Sequence, residues 1–358
     1  MNDIIPPRPK IGIALGSGVA RGWAHIGVLR VLGSAGIVPD IVSGTSIGAV
    51  VGGCHVANQL DPLEEFARSL TRRRLISVID FRFRSSGLIG DSKLEAILYK
   101  YLGGQQLENM ERTFIAVATE LSTGHEVWMH EGSLVQAIRA SYALPGVLAP
   151  VPIDNRWLID GALVNPVPVS VVRALGARVV IAVNLNTDPF DPVARRQARA
   201  HHPSLYMPAP QPSRVAPDVE KEIAALIEEG TIGAPDSVKA ENEAAPDESS
   251  ALMEGIRSTF NKMRGSKTTS EREIVKRALG SAQRGPGFAS VLLASLNIIQ
   301  DRLARARLAS DPPDIVIAPK VGHLSLMEFD RADELIRLGE EAAEEALPVI
   351  RETIEMLS

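Results

Sequence analysis

Short apolar runs alternate along this chain with segments whose apolar residues recur at helical spacing. The runs predict strands at 11–15, 41–43, 113–119, 125–129, 156–159, 178–185 and 314–318. The helical patterns lie at 20–33, 46–58, 61–70, 91–100, 132–140, 167–175, 289–308 and 331–357. Because strands and helices alternate, the pattern predicts an α/β fold in which helices flank both faces of a mainly parallel central sheet.

The alternation stops after Asn186. Residues 187–286 are rich in Pro, Ala, Ser and charge, a composition that predicts a flexible or partly helical insert, with helix expected, for example, at 218–229 and 250–263. We therefore expect a catalytic core at 8–186, the insert at 187–286, and a C-terminal part of the same core at 287–358. This last part contributes a helix, a strand and a closing helix.

The pentapeptide Gly44-Thr45-Ser46-Ile47-Gly48 lies between a predicted strand and a predicted helix. A Gly-x-Ser-x-Gly sequence in that place is typical of a nucleophile elbow, a sharp turn that exposes the serine Oγ. The two glycines let the backbone pack closely, and the helix N-terminus favours negative charge that develops beside the serine. The alternative is a glycine-rich turn whose serine only caps the helix.

A glycine-rich loop, GSGVARG at 16–22, follows the first predicted strand and leads into a helix. Such a loop presents backbone N–H groups to an anion, either a bound phosphate or the oxyanion of acyl transfer. Gly16 and Gly18, with Asp40 about twenty residues on, are similar to a dinucleotide-binding fingerprint. Arg21 stands where the third fingerprint glycine belongs, and this favours the oxyanion alternative.

A third motif, Asp160-Gly161-Ala162, follows the predicted strand at 156–159. Gly161 lets the chain turn sharply and leaves the carboxylate uncovered at the strand end. Asp-Gly is common in turns, so the tripeptide by itself indicates little. Its position after the glycine-rich loop and the serine motif makes Asp160 a candidate.

These motifs, in the order glycine-rich loop, serine and aspartate, resemble those of the patatin-like phospholipase family. Segments that add to the resemblance are 114–119, 123–128, 137–141 and 144–146. The resemblance is strongest to the bacterial RssA-type branch and covers about residues 10–187 and 286–350.

The resemblance implies a catalytic dyad, in which Ser46 is the nucleophile and Asp160 accepts its proton. We expect no metal or other cofactor, because the sequence has no His/Asp/Glu cluster at ligand spacing. It also implies an oxyanion hole made by backbone N–H groups of four residues: Gly16, Ser17, Gly18 and Val19. Ser17 stands where many family members carry glycine. The remaining motif residues support the loop (Arg21, Gly22) or the elbow and aspartate turns (Gly44, Gly48, Gly161).

A histidine triad is the natural alternative to the dyad. In the chain order serine, acid, histidine, only His201, His202 and His323 come late enough to act as the base. The first two lie in the insert, and His323 follows the strand predicted at 314–318. We expect His25, on the helix after the glycine-rich loop, to pack or to support that loop.

Composition narrows the function classes. A chain of 358 residues, 45% of them hydrophobic, can bury one large core. Its net charge of −5 gives no nucleic-acid footprint, and we interpret the basic run at 72–74 as a helix end or a solvated face. The single cysteine fits a reducing compartment, and the first seven residues lack the pattern of a secretory signal.

From the sequence we therefore expect a cytoplasmic serine hydrolase of lipid esters, similar to phospholipase A or lysophospholipase. We expect any membrane contact to be peripheral, at the inner membrane, and no nucleic acid partner; the oligomeric state stays open. Two alternatives remain at this point. One is a dinucleotide-binding α/β protein, and the other is a regulatory or scaffold protein of patatin-like fold.

Overall fold

The computed structural model describes residues 8–71, 80–81, 89–90, 92–186 and 288–358. The chain divides into two units, Met1–Pro192 with Leu293–Ser358, and Val193–Leu292. All elements below belong to the first unit, apart from the first residues of one helix. The expected insert with its two helices, and the basic run at 72–74, lie outside the described residues, so the domain boundaries stay a prediction.

The described strands are Ile11–Leu15 (β1), Ile41–Thr45 (β2), Asp80–Phe81 (β3), Ile89–Gly90 (β4), Thr113–Glu120 (β5), Glu126–Met129 (β6), Val151–Ile153 (β7), Arg156–Asp160 (β8), Val179–Val183 (β9) and Ile315–Ile317 (β10). The described helices are Ala24–Ser34 (α1), Ile47–Val56 (α2), Leu60–Ser69 (α3), Ser92–Leu102 (α4), Leu134–Tyr142 (α5), Val169–Ala174 (α6), Phe288–Ser310 (α7) and Ala332–Leu357 (α8). The helix expected at 20–33 begins with a 3₁₀ turn, Val19–Trp23, before α1.

The central sheet has the strand order β10-β9-β1-β2-β5-β8-β7, and β6 also pairs with β5. The prediction of an α/β fold is confirmed, and its parallel part comprises β10, β9, β1, β2 and β5. The other edge is antiparallel, because β8 and β6 both run opposite to β5 and β7 runs opposite to β8. β7 was not predicted, since it has only three residues and contains Pro152, which suits an edge strand.

Both faces of the sheet are covered, so the central strands β9, β1 and β2 are buried at every position. In β1, Ile13 and Leu15 pack into one hydrophobic cluster, whereas Ala14 packs into a second. This two-sided burial explains why β1 is a continuous apolar run rather than an alternating one.

The sheet register brings the serine and aspartate motifs to the same edge. Thr45, the last residue of β2, pairs with Val117 of β5. The next residue of β5, Ala118, pairs with Asp160, the last residue of β8. Ser46 follows Thr45 directly, so β5 is the strand that aligns the two motifs.

Helix α8 packs closely against α1, and glycines lie at the contact. A Cβ at Gly27 of α1 would overlap the carbonyl oxygen of Ile336, and a Cβ at Gly339 of α8 would overlap that of Ala24. Since main-chain atoms cannot rotate away, only glycine permits this approach. No helix among the described residues is long and apolar enough to cross a membrane.

This contact yields a matched pair of variants. We expect Gly27→Ala to destabilise the protein by about 1–3 kcal/mol, because the methyl group forces α1 and α8 apart. Gly33 lies in the same helix with nothing within 4 Å of its Cβ direction. We expect Gly33→Ala to be neutral or to stabilise by up to about 1 kcal/mol. Urea unfolding measures both free energies, and equal effects of the two changes would contradict the packing described here.

Candidate active site

Ser46 lies at the N-terminus of α2 in a strained backbone conformation, with φ 58° and ψ −122°. Such a conformation costs of order 1–3 kcal/mol and persists only where the surroundings enforce it. Gly44 and Gly48 supply those surroundings, since a Cβ on Gly44 would overlap the Gly48 carbonyl and a Cβ on Gly48 would overlap the Leu15 carbonyl. The local geometry is that of a nucleophile elbow.

The Ser46 hydroxyl donates a hydrogen bond of 2.7 Å to Asp160 Oδ2. The other carboxylate oxygen, Oδ1, accepts a 2.8 Å hydrogen bond from the N–H of Ala162. Ser46 is 8% exposed and Asp160 1% exposed, so this contact is shielded from solvent. The structure therefore places the serine and the aspartate of two distant motifs in direct contact.

Burial changes the acidity of Asp160. Desolvation raises the pKa of this carboxyl to about 6, although the hydrogen bonds from the Ala162 N–H and the Ser46 hydroxyl lower it in part. A carboxylate with a raised pKa is a stronger base than an ordinary aspartate. Above pH 6 the group is mainly ionised and can accept a proton from Ser46.

Hydroxyl groups that the sequence did not single out hold the two residues in place. Ser141 Oγ accepts a 2.9 Å hydrogen bond from the Ser46 N–H and donates one of 2.6 Å to the Val117 carbonyl. Thr119 Oγ1 donates to the Asp160 carbonyl at 2.9 Å. Buried hydroxyls on a helix and a strand carry no sequence signal of such a role, because serine and threonine occur widely at both.

The glycine-rich loop offers fewer free donors than the sequence predicts. The Gly16 N–H donates to Val183 at 3.0 Å and the Ser17 N–H to Pro166 at 2.8 Å, both through carbonyl oxygens. Among the described residues the N–H groups of Gly18 and Val19 have no such acceptor. The N–H groups of Gly16 and Ser17 thus anchor the loop, those of Gly18 and Val19 are free to bind an anion, and the oxyanion hole itself stays a prediction.

Side chains on either side of the loop fix its position. His25 Nε2 lies 2.8 Å from the Gly16 carbonyl, which can only accept, so the proton is on Nε2. Burial lowers the pKa of His25 to about 4 and keeps the ring neutral. Arg21 is buried and donates from Nε to the Leu324 carbonyl at 2.9 Å, so it supports the loop from within the protein.

Glycines next to these groups allow the loop, the elbow and the aspartate turn to meet. A Cβ on Gly22 would overlap the side chain of Ile47, the residue that follows the nucleophile candidate. A Cβ on Gly161 would overlap the Val117 carbonyl. Both positions therefore require glycine for a packing reason.

No histidine of the described residues contacts the Ser46–Asp160 pair. His323 is exposed and lies 3.0 Å from Glu334, with which it forms an ion pair when protonated. His201 and His202 lie outside the described residues. Within the described ranges there is also no group of three or more His, Cys, Asp or Glu side chains that could hold a metal ion.

Asp40 does not lie where a ribose-binding acid would. Its carboxylate accepts hydrogen bonds from Arg8 and from the Ile11 N–H, at the beginning of β1. The glycine-rich loop follows the end of β1, at the opposite edge of the sheet. In a dinucleotide-binding fold both groups lie at the carboxyl edge, so the structure argues against this alternative.

Comparison with known proteins identifies the family. The model of the patatin-like phospholipase family matches residues 13–173. An uncharacterized NTE family protein of Mycobacterium tuberculosis is 33% identical over 339 residues, which cover 95% of this chain and 91% of that protein. The chain belongs to the patatin-like phospholipase family. The more specific prediction, the RssA-type branch, stays a prediction.

Other relatives match about half of this chain. Human patatin-like phospholipase domain-containing protein 6 is 32% identical over 184 residues, which are 49% of this chain and 13% of that protein. The solved structure of human GIVD cytosolic phospholipase A2 is similar with a TM-score of 0.38 and 13% identity, over 97% of this chain and 60% of that one.

The raised pKa of Asp160 predicts a pH dependence with a defined sign. We expect kcat for ester hydrolysis to rise as pH increases through about 6 and to level off above it, because only the carboxylate can accept the serine proton. The pKa of Asp160 is higher in the folded than in the unfolded protein. Ionisation of Asp160 therefore lowers the free energy of unfolding as pH rises through about 6.

The variant Asp160→Asn separates the effect of Asp160 on activity from its effect on stability. The variant should lose activity at every pH, yet its melting temperature should exceed that of the native protein at pH 8 and match it near pH 4. Thermal unfolding at both pH values, with kcat measured in parallel, checks this. A variant that is less stable at pH 8 would show that burial does not dominate the environment of Asp160.

Proposed function

We propose that this protein is a serine hydrolase of lipid esters that uses a Ser46–Asp160 dyad and needs no metal or other cofactor. The 2.7 Å hydrogen bond from Ser46 Oγ to Asp160 Oδ2 carries the proposal. Membership of the patatin-like phospholipase family supports a lipid ester as substrate, of the type that phospholipase A or lysophospholipase cleaves.

In the proposed acylation step, Ser46 Oγ attacks the ester carbonyl carbon while its proton passes to Asp160 Oδ2. The tetrahedral oxyanion accepts hydrogen bonds from the N–H groups of Gly18 and Val19. The bond between the carbonyl carbon and the alcohol oxygen then breaks, and the alcohol leaves with the proton held by Asp160. The products are an acyl-Ser46 ester and the free alcohol.

Water completes the cycle by the same groups. It attacks the acyl-Ser46 carbonyl and gives a proton to Asp160, and the second tetrahedral oxyanion forms at the same N–H pair. Breaking the bond to Ser46 Oγ releases the fatty acid, and Asp160 returns the proton to Ser46. One ester and one water are consumed, and one acid and one alcohol are produced.

An aspartate can serve as the base for two physical reasons. Proton transfer occurs together with attack, so Asp160 never has to remove the proton from an isolated alcohol. Ser46 also lies at the N-terminus of α2, where the helix dipole stabilises developing negative charge. Each oxyanion donor is typically worth about 3 kcal/mol of barrier, so Gly18 and Val19 supply a large share of the rate.

We keep a cytoplasmic location and peripheral contact with a membrane surface as part of this proposal. The single cysteine, Cys54, is buried and unpaired, which fits a reducing compartment. A lipid substrate in turn requires at least transient contact with a bilayer or a micelle. The alternative is a regulatory protein of the same fold. Ester hydrolysis that is lost when Ser46 or Asp160 is replaced would show that the protein is an enzyme.

Paired substitutions test the dyad against a histidine triad. We expect Ser46→Ala to lower kcat/KM for p-nitrophenyl butyrate by at least about 1,000-fold with an unchanged circular dichroism spectrum. His323→Ala, the matched control, should retain activity within about twofold, and EDTA should have no effect. Both variants should change the hydrolysis of a lysophospholipid by the same factors. Retained activity in Ser46→Ala, or loss in His323→Ala, would contradict the dyad.

A further inference from the structure

Asn186, three residues beyond the end of β9, has a buried side chain for which the described part of the chain offers no hydrogen-bond partner. It is 1% exposed, and its backbone N–H donates to Asn184 Oδ1 at 3.0 Å, which fixes the chain at this point. Neither Nδ2 nor Oδ1 of the carboxamide has a partner among the described residues. The main chain is thus fixed at this point, while both polar atoms of the side chain lack a partner among the described residues.

A second buried asparagine shows the ordinary arrangement. Asn165 is equally buried, and its Nδ2 donates to Glu126 Oε1 at 2.7 Å and to Ser170 Oγ at 3.1 Å. The large majority of buried side-chain polar groups are paired in this way, because leaving one unpaired destabilises the fold. An unpaired carboxamide therefore indicates a role other than stability.

The register of the sheet places Asn186 beside the glycine-rich loop. β9 and β1 are parallel with Val183 opposite Leu15, so Gly18 and Asn186 each lie three residues past that pair. Leu185 contacts the loop directly, since a Cβ on Gly18 would lie 2.9 Å from Leu185 Cδ1. Asn186 is the next residue at the carboxyl edge, where parallel α/β sheets bind their ligands.

At this edge lie three groups that have no hydrogen-bond partner among the described residues: the N–H of Gly18, the N–H of Val19 and the Asn186 carboxamide. We propose that Asn186 is a catalytic residue whose Nδ2 donates a hydrogen bond to the acyl oxygen of the substrate ester. It acts together with the two backbone donors, and this inference rests on the proposed hydrolase function. Ser46 itself is only 8% exposed, so burial of Asn186 matches that of the site it serves.

The role has a chemical basis. The acyl oxygen gains negative charge in the tetrahedral intermediate, and an uncharged amide donor stabilises that charge without titrating. A side chain that is unpaired until substrate binds contributes more to the transition state than to the resting protein. Replacing it should therefore lower the rate without lowering the stability.

Two variants and one control test the proposal on the full chain. Asn186→Leu keeps the approximate volume but removes the donor, and Asn186→Asp replaces the donor by a negative charge. Asn165→Leu is the control, because it removes an asparagine that is buried and paired. The measurements are kcat and KM for p-nitrophenyl butyrate, and the melting temperature of each protein.

We expect Asn186→Leu to lower kcat by about 100-fold, to leave KM within about threefold, and to keep or raise the melting temperature. Asn186→Asp should lower kcat further, whereas Asn165→Leu should lower the melting temperature. A kcat of Asn186→Leu within about twofold of the native value would overturn the proposal. So would a fall in its melting temperature as large as that of Asn165→Leu. An inactive native protein would instead refute the proposed function itself.

Discussion

The close approach of three backbone segments around Ser46 is the constraint on which the rest of the site depends. Glycines at 44, 48 and 161 lie against main-chain carbonyl groups of the elbow, of β1 and of β5, and any Cβ there would overlap them. Main chain cannot yield as a side chain can, so the contacts hold the serine backbone in its strained turn. They also fix the distance from Ser46 to the end of β8, where Asp160 lies.

Burial gives this arrangement its chemistry and also its cost. The same desolvation that raises the pKa of Asp160 to about 6 strengthens it as the base of the proposed mechanism, and it makes the ionised group unfavourable in the folded protein at neutral pH. The glycine-rich loop is held in a different way, by hydrogen bonds from a neutral His25 and a buried Arg21. Rigid surroundings on both sides mean that little reorganisation accompanies proton transfer.

The sequence predicts much of this structure, and the exceptions have physical causes. Apolar periodicity identifies the central strands because both faces are buried, whereas β7 is too short and contains a proline. The motif order identifies Ser46 and Asp160 because glycine is required beside each. Ser141 and Asn186 were not singled out, since their contacts depend on the packing of distant segments. The sequence also did not indicate that the carbonyl groups of Val183 and Pro166 accept the N–H groups of Gly16 and Ser17.

Mapping the site of a covalent fluorophosphonate adduct tests the central claim most directly, because this reagent labels a serine only when a base and an oxyanion hole activate it. The native protein should be labelled at Ser46 alone, as read by mass spectrometry of its peptides. Asp160→Asn should not react, although it remains folded. Labelling of a different serine, or undiminished labelling of the Asp160→Asn variant, would contradict the Ser46–Asp160 dyad.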